Sequence, residues 1–118
     1  MQGDPLPGER EKKREVILPP TELKQFFTMQ APNALTNELP WLAQSVMVDN
    51  YSATGYIYVR ACKRYVPPGK VGIILHIPAS RELNIEWQNP PNVGAAPTAN
   101  DLAVITAFAD LIPFSGGY

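Results

Sequence analysis

Hydrophobic and polar side chains alternate along residues 56–61 and again along residues 82–88. A period of two is typical of β-strands with one buried and one solvated face. Residues 71–77, which lie between these stretches, are apolar on both faces apart from His76, which favours a strand covered on both sides. The pattern therefore predicts three consecutive strands of an antiparallel meander.

Turn-forming residues separate these segments. The sequence Val66-Pro67-Pro68-Gly69 removes two ladder donors and then supplies the backbone freedom of a glycine, so it predicts a reversal of the chain. Residues 42–50 form a further alternating stretch. Residues 101–111 contain alanines that suit a helix and β-branched residues that suit a strand, and we favour the strand. These elements predict an all-β fold, an antiparallel β-sandwich of jelly-roll type spanning residues 41–118.

The first 40 residues have a different character. Residues 1–15 contain four acidic and four basic side chains and only Leu6 as a strongly apolar one, so alone this segment should be disordered. Residues 16–41 carry large apolar side chains between prolines, which exclude a long helix or a central strand, although residues 20–27 fit two helical turns. We predict an extended arm over residues 1–40, disordered when free and ordered on assembly. Its expected contacts, with this chain's own domain or with a neighbour, are Leu18, Leu23, Phe26, Phe27, Leu35 and Trp41.

Candidate chemistry is sparse in this chain of 118 residues, which is long enough for one domain. Cys62 and His76 are the single cysteine and histidine, too few for a usual zinc site or an intrachain disulfide. Lys63 and Arg64 beside Cys62 would lower its thiol pKa, but we favour Cys62 as a small half-buried packing residue at a strand end. Glu82 and Glu86 share a strand face but would stand about 13 Å apart, too far for paired carboxylate chemistry. We interpret the protein as non-enzymatic, with no catalytic residue, metal, cofactor or small-molecule substrate.

Two ligand classes remain open from residue types. Tyr56, Tyr58 and Trp87 could form a stacking shelf for a sugar or receptor. The same tyrosines with Arg60 and Arg64 resemble platforms that stack single-stranded nucleic acid, although the net charge of −1 argues against such a partner. The sequence has no apolar run of membrane-spanning length and no signal-peptide pattern at its start, so synthesis in the cytoplasm is expected.

A wider pattern resembles a known class of proteins. It consists of Val46-x-Val48-x-Asn50, Tyr56-x-Tyr58-Val59, Tyr65-Val66-Pro67-Pro68-Gly69 and Ile85-x-Trp87. Over residues 43–90 this pattern is similar to the small β-sandwich virion proteins of tailed bacteriophages. The resemblance implies a structural protein of the virion, a capsid decoration, tail or fibre-associated component made in the host cytoplasm. It further implies homo-oligomers of three-fold, five-fold or six-fold symmetry that dock on other virion proteins, without a cofactor. No functional residue is carried over.

Overall fold

The computed structural model describes residues 23–116, and in that range every regular element is a β-strand. The strands are β1 (Lys24–Gln30), β2 (Glu38–Asn50), β3 (Ile57–Val59), β4 (Arg64–Val66), β5 (Ile73–Glu82), β6 (Ile85–Trp87) and β7 (Leu102–Phe108). They form a four-stranded sheet, in the order β1-β7-β2-β5, and a three-stranded sheet, in the order β4-β3-β6. All pairings are antiparallel, so the predicted all-β, antiparallel class is confirmed.

One hydrophobic core joins the two sheets. Val46, Val48 and Ile105 of the four-stranded sheet are fully buried, as is Ile57 of the three-stranded sheet, and they belong to a single cluster. Side chains alternate between the two faces of a strand, so the residues that enter this cluster lie on one face of each sheet. We call the face of each sheet that contributes to the core its inner face, and the opposite face its outer face.

The last strand confirms the preference for strand over helix in residues 101–111. In β7, Ala103, Ile105 and Ala107 are fully buried on the inner face. β7 lies between β1 and β2 and pairs with both. In this setting the alternation of small and β-branched side chains fits a central strand, which outweighs the helix propensity of the alanines.

The predicted three-strand meander is wrong in its pairing. β3 pairs directly with β6 and with β4, a short strand that the sequence pattern did not indicate. β5, the middle segment of the expected meander, pairs with β2 in the other sheet and forms its edge. The physical reason is that the two-residue period reports which side chains are buried, but not which sheet a strand joins.

The turn before β5 redirects the chain from one sheet to the other. The amide of Lys70 donates to the carbonyl of Pro67 over 3.3 Å, and Gly69 has a φ of 74°. A proline in the second position and a left-handed glycine in the third are the requirements of a type II turn. The reversal predicted at residues 66–69 is therefore present, with the glycine in the conformation that requires it.

The chain before residue 41 joins the folded unit where it is described. β1 pairs with β7 along its whole length, so the helical turns expected in residues 20–27 are replaced by a strand from Lys24 onward. Leu35 and Leu39 are buried in the core, and the predicted boundary at residue 40 falls inside β2. Pro40 is tolerated because β2 pairs with β7 only from Ser45 onward, which leaves its first part with one neighbour.

A buried polar network fixes one end of the molecule. The side-chain amide of Asn50 donates to the carbonyls of Gly55 at 2.9 Å, Val66 at 3.2 Å and Pro67 at 3.1 Å. Its oxygen accepts the amide of Ser52 at 2.9 Å. Because these partners belong to the loop after β2, to β4 and to the turn before β5, Asn50 ties both sheets together.

Candidate interaction surfaces

The outer edge of β1 is an open sheet edge. The amide of Ala109 donates to the carbonyl of Leu23, and the amide of Ala31 donates to the carbonyl of Asp101. In an antiparallel ladder, every second residue of a strand bonds to the same neighbour. Because Leu23 and Ala31 bond towards β7, the backbone groups of the odd-numbered residues in β1 face β7. Those of the even-numbered residues, such as Phe26 and Thr28, point away from the sheet, and no other described strand lies beside them. We call this the β1 edge.

Apolar side chains surround the β1 edge. Phe26 lies on the outer face with 69% of its surface exposed, and Leu23 at the start of the strand is 47% exposed. Phe27, on the inner face, is half-buried and packs against the core. An exposed, flat edge with aromatic side chains and no proline is the feature that natural sheets usually avoid unless another chain covers it.

The opposite edge of the four-stranded sheet, along β5, is covered at its start. Residues 111–116, which we call the C-terminal strap, cross from the end of β7 to β5. The amides of Ser115 and Gly116 donate to the carbonyl of Ile74 at 3.0 and 3.3 Å, and the Ser115 hydroxyl accepts the amide of Ile74. The same hydroxyl donates to the carbonyl of Gly72 at 3.3 Å. The strap thus occupies the backbone groups of Ile74 and the carbonyl of Gly72, at the start of the β5 edge.

Further contacts hold the C-terminal strap over the outer face. The amide of Ile112 donates to the hydroxyl of Ser45 at 2.9 Å, and the ring Nε2 of His76 bonds to the carbonyl of Ile112. The Phe114 ring meets the His76 ring edge-on at a centroid distance of 5.8 Å. The two-sided cover predicted for residues 71–77 is wrong, since β5 is an edge strand whose His76 remains exposed. The strap explains why Ile74 is nevertheless half-buried on the outer face.

The three-stranded sheet offers short edges. Leu35 exchanges two backbone hydrogen bonds with Ile85, at 2.8 and 3.0 Å, and so covers the edge of β6. β4, at the other edge, has 3 residues. Among the described edge strands, β1 therefore presents a row of backbone donors and acceptors that neither the strap nor a bridge to another segment covers.

A cluster of tyrosines occupies the outer face of the three-stranded sheet. The rings of Tyr58 and Tyr65 lie 4.7 Å apart between centroids, and Tyr56 meets Tyr65 edge-on at 6.5 Å. The Arg60 guanidinium lies 5.5 Å from the centre of the Tyr58 ring and binds both carboxylate oxygens of Glu86 at 2.8 Å. The hydrogen bond that Arg60 donates to Glu86, followed by the negative charge of Glu86, raises the pKa of Arg60.

The structure separates the candidate ligand residues into two groups. Tyr56, Tyr58 and Arg60 come together, but Trp87 lies opposite Ile57 on the inner face and packs against the core. Among the described side chains, the indole Nε1 of Trp87 is the buried polar atom without a hydrogen-bond partner. Arg64 turns instead to the C-terminal strap, with its guanidinium 5.4 Å from the centre of the Phe114 ring. A shelf combining the tyrosines with Trp87, or a platform using both arginines, is not formed by this arrangement.

Cys62 has the environment of a half-buried packing residue rather than that of a reactive thiol. Cys62 is half-buried in the turn between β3 and β4 and packs against the core. Burial raises its thiol pKa, and this outweighs the lowering effect of Arg64. The prediction that neighbouring bases make the thiol more acidic is wrong. Within residues 23–116, no group of three or more His, Cys, Asp or Glu side chains is placed to hold a metal ion.

The residues predicted to form the contacts of the arm fall into three groups. Leu18 lies outside the described residues. Leu23 and Phe26 are exposed beside the β1 edge, whereas Leu35 is buried and Phe27 and Trp41 are packed against the chain's own core. Sequence reasoning missed the C-terminal strap and the pairing of Tyr65 with Tyr58. The alternation of Tyr56 and Tyr58 indicated the tyrosine face, but residues 111–116 carry no pattern that would have indicated a strap.

Comparisons with protein-family models, curated proteins and solved structures find no match. In the part of the chain that the structure describes, no helix is long and apolar enough to cross a membrane.

Proposed function

We propose that this protein is a non-enzymatic structural component of a bacteriophage particle, located in the virion as a capsid decoration, tail or fibre-associated protein. In this proposal the two sheets form a β-sandwich of jelly-roll type. The N-terminal region, including β1, docks on neighbouring subunits and on other virion proteins. The resemblance of residues 43–90 to small phage virion proteins supports the assignment, and so does the all-β, two-sheet fold.

The open β1 edge is the observation that carries the proposal. Phe26 and Thr28 direct backbone donors and acceptors away from the sheet, and Phe26 is 69% exposed beside them. A subunit designed to remain alone would cover such an edge, as this chain does at β5 with its C-terminal strap. The contrast between the two edges of one sheet points to a docking role for β1.

Energetics favour docking at this edge. Each backbone hydrogen bond that extends the sheet contributes about 0.5–1.5 kcal/mol. Complete burial of Phe26 would add about 1.5–3 kcal/mol. The edge strand is already ordered by its pairing with β7, so these gains need not offset the entropy of ordering it.

The test is the presence of the chain in purified particles and its dependence on β1. Particles of the phage whose genome encodes this chain would be purified by density gradient and their proteins identified by mass spectrometry. We expect the chain at a fixed stoichiometry. In a complementation assay, Thr28→Pro should reduce incorporation because it removes an outward-facing donor, whereas the matched control Thr28→Val should incorporate normally. Absence of the chain from washed particles would rule out the proposal.

A further inference from the structure

The two edges of the four-stranded sheet are chemically unequal. At the start of β5, Ser115 and Gly116 occupy the backbone groups of Ile74 and the carbonyl of Gly72, and farther along the strand Pro78 has no amide to donate. At β1, the outward groups of Lys24, Phe26, Thr28 and Gln30 have no described partner strand. Head-to-tail extension of the sheet needs one β1 edge and one β5 edge, and the strap and Pro78 obstruct the second. An interface between two β1 edges needs neither strap to move.

We propose that β1 pairs antiparallel with β1 of a second copy of this chain, about a two-fold axis, to give one continuous eight-stranded sheet. The proposed dimer deepens the proposed function. It rests on that function only for the assumption that β1 is the docking edge. The same surface serves both copies, which is the defining property of an isologous interface.

The hydrogen-bond pattern between β1 and β7 restricts the register in which two copies of β1 can pair. Only even-numbered residues of β1 direct backbone groups to the free edge, so hydrogen-bonded pairs across the axis join even-numbered residues. Full overlap of the two strands then places Phe26 opposite Thr28 of the second copy and Lys24 opposite Gln30 of the second copy. The axis passes between the two copies of Phe27.

This register matches the side chains of β1. Lys24 is the single charged residue of the strand KQFFTMQ, and it faces an uncharged glutamine, so no like charges oppose each other. The two Phe27 rings meet on the inner face beside the core, where each is now half-buried. Phe26 on the outer face gains Thr28 of the second copy as a neighbour. Aromatic and β-branched cross-strand contacts of this kind are those that stabilise sheets.

The first experiment measures the mass and the amide exchange of the full chain. Sedimentation velocity over a concentration series should show a monomer–dimer equilibrium. Residue-resolved hydrogen exchange should show that the amides of Phe26 and Thr28 become protected as concentration rises, while those of Gln25 and Phe27 are protected throughout by β7. A chain that stays monomeric overturns the proposal. Protection of Phe26 and Thr28 at concentrations where sedimentation shows only monomer also overturns it, because the edge would then be covered within a single chain.

The second experiment removes one outward donor from each copy. Thr28→Pro leaves the bonds to β7 in place and should raise the dimer dissociation constant at least about tenfold, since each dimer loses two donors. Thr28→Val keeps the donor and should leave the constant within about twofold. A dimer that survives Thr28→Pro would lie on another surface. Circular dichroism of the variant verifies its fold, and the amide-exchange result on the unaltered chain decides the matter if the variant does not fold.

The third experiment tests the register by cross-linking. In a Cys62→Ser background, Phe27→Cys places two thiols across the axis in a pair that is not hydrogen-bonded, where Cα atoms stand about 4.5 Å apart. Gln25→Cys is the matched control, because its two copies would be offset by four residues, about 13 Å along the strands. Mild oxidation should yield a covalent dimer from Phe27→Cys at least about tenfold faster than from Gln25→Cys. Equal rates, or faster cross-linking at Gln25→Cys, overturn the proposed register. Particle incorporation without any solution dimer would leave the proposed function standing and reject this interface.

Discussion

Asn50 acts at the scale of a single residue as the junction of the fold. Its side chain is fully buried, and its two amide hydrogens serve three carbonyls, so one hydrogen is shared. Asn50 ends a strand of the four-stranded sheet, and one of these carbonyls, that of Val66, belongs to the three-stranded sheet. An asparagine can serve this position because it offers two donors and one acceptor in a planar group.

Replacement of Asn50 by aspartate should therefore be severely destabilising. The new carboxylate cannot donate to the carbonyls of Gly55, Val66 and Pro67, and it would bury a charge among acceptors. We expect a loss of about 3–5 kcal/mol in the free energy of unfolding, measured by urea denaturation. Asn33→Asp, at an exposed position, is the matched control and should change the value by less than about 0.5 kcal/mol. A loss at Asn50 no larger than at Asn33 would contradict the junction role.

Cys62 should show its raised pKa in both reactivity and stability. Burial favours the neutral thiol in the folded chain, whereas the unfolded chain ionises near the ordinary thiol value of about 8.5. The stabilising effect is thus fully present below the unfolded pKa and is lost as pH rises through it towards the folded value. We expect iodoacetamide to alkylate the folded chain with a rate midpoint at higher pH than the urea-unfolded chain. Cys62→Ala should remove the corresponding decline in stability above about pH 8.5.

The sequence predicted much at the residue scale, but only where a side chain's neighbours lie close in the chain. Ile85 and Leu83 are buried as their alternation indicated. The raised pKa of Cys62 could not be predicted, because adjacent Lys63 and Arg64 are visible in the sequence and the core that buries the thiol is not. The separation of Trp87 from the tyrosines could not be predicted for the same reason, because the sheet face on which Trp87 lies depends on the pairing of β6 with β3.

At the scale of elements, strand existence was more predictable than strand partnership. The stretch at residues 71–77 did become a strand, extended to Glu82, but its assignment to the other sheet depends on the turn at residues 67–70 and on long-range pairing with β2. The sequence analysis did not predict β1 because prolines stand on both sides of it. Prolines exclude a central strand, but they allow an edge strand in the segment between them.

The turn before β5 is the element whose removal we expect to weaken the fold measurably. Replacing Pro67-Pro68-Gly69 by three alanines should cost about 1–3 kcal/mol in the free energy of unfolding. Gly69→Ala alone should account for about 1 kcal/mol, because a φ of 74° strains alanine while its added methyl group meets no atom within 4 Å. Thermal unfolding followed by circular dichroism measures both variants. An unchanged melting temperature in the triple variant would show that the turn does not constrain the fold.

The C-terminal strap is the second element with a testable role. Ending the chain after Asp110 removes the groups that occupy Ile74 and exposes the β5 edge. Head-to-tail pairing of β1 with β5 then becomes available, and we expect concentration-dependent species heavier than a dimer in sedimentation velocity. Ser115→Ala is the matched control, because the amides of Ser115 and Gly116 can still bind Ile74 and the edge stays covered. A truncated chain with the same mass distribution as the full chain would show that the strap does not guard this edge.

The whole molecule combines one guarded and one open edge in the same sheet. In the proposed assembly, the strap on the β5 edge would limit growth of the sheet, and the open β1 edge would provide the contact between two copies. The net charge of −1 provides little long-range repulsion between copies, so the geometry of the edges decides how copies meet. This division of roles between edges follows from residues 23–30 and 111–116, the two segments whose structure the sequence pattern did not reveal.

Two truncations test how the N-terminal region divides between folding and assembly. Deleting residues 1–22 retains every described strand, so we expect the melting temperature to stay within about 3 °C. Deleting residues 1–40 removes β1 and the buried side chains of Met29, Leu35 and Leu39. Each such loss costs about 2–5 kcal/mol, and their sum approaches the whole stability of a typical domain, about 5–15 kcal/mol.

We therefore expect the chain lacking residues 1–40 not to fold. The chain lacking residues 1–22 should fold and self-associate through β1, but it should incorporate poorly into particles. Circular dichroism gives the folding result, sedimentation velocity the mass, and mass spectrometry of purified particles the incorporation. A cooperative transition in the chain lacking residues 1–40 would show that β1 is dispensable for the core. Normal incorporation of the chain lacking residues 1–22 would assign docking to the β1 edge alone, since that variant keeps Phe26 and Thr28 but none of residues 1–22.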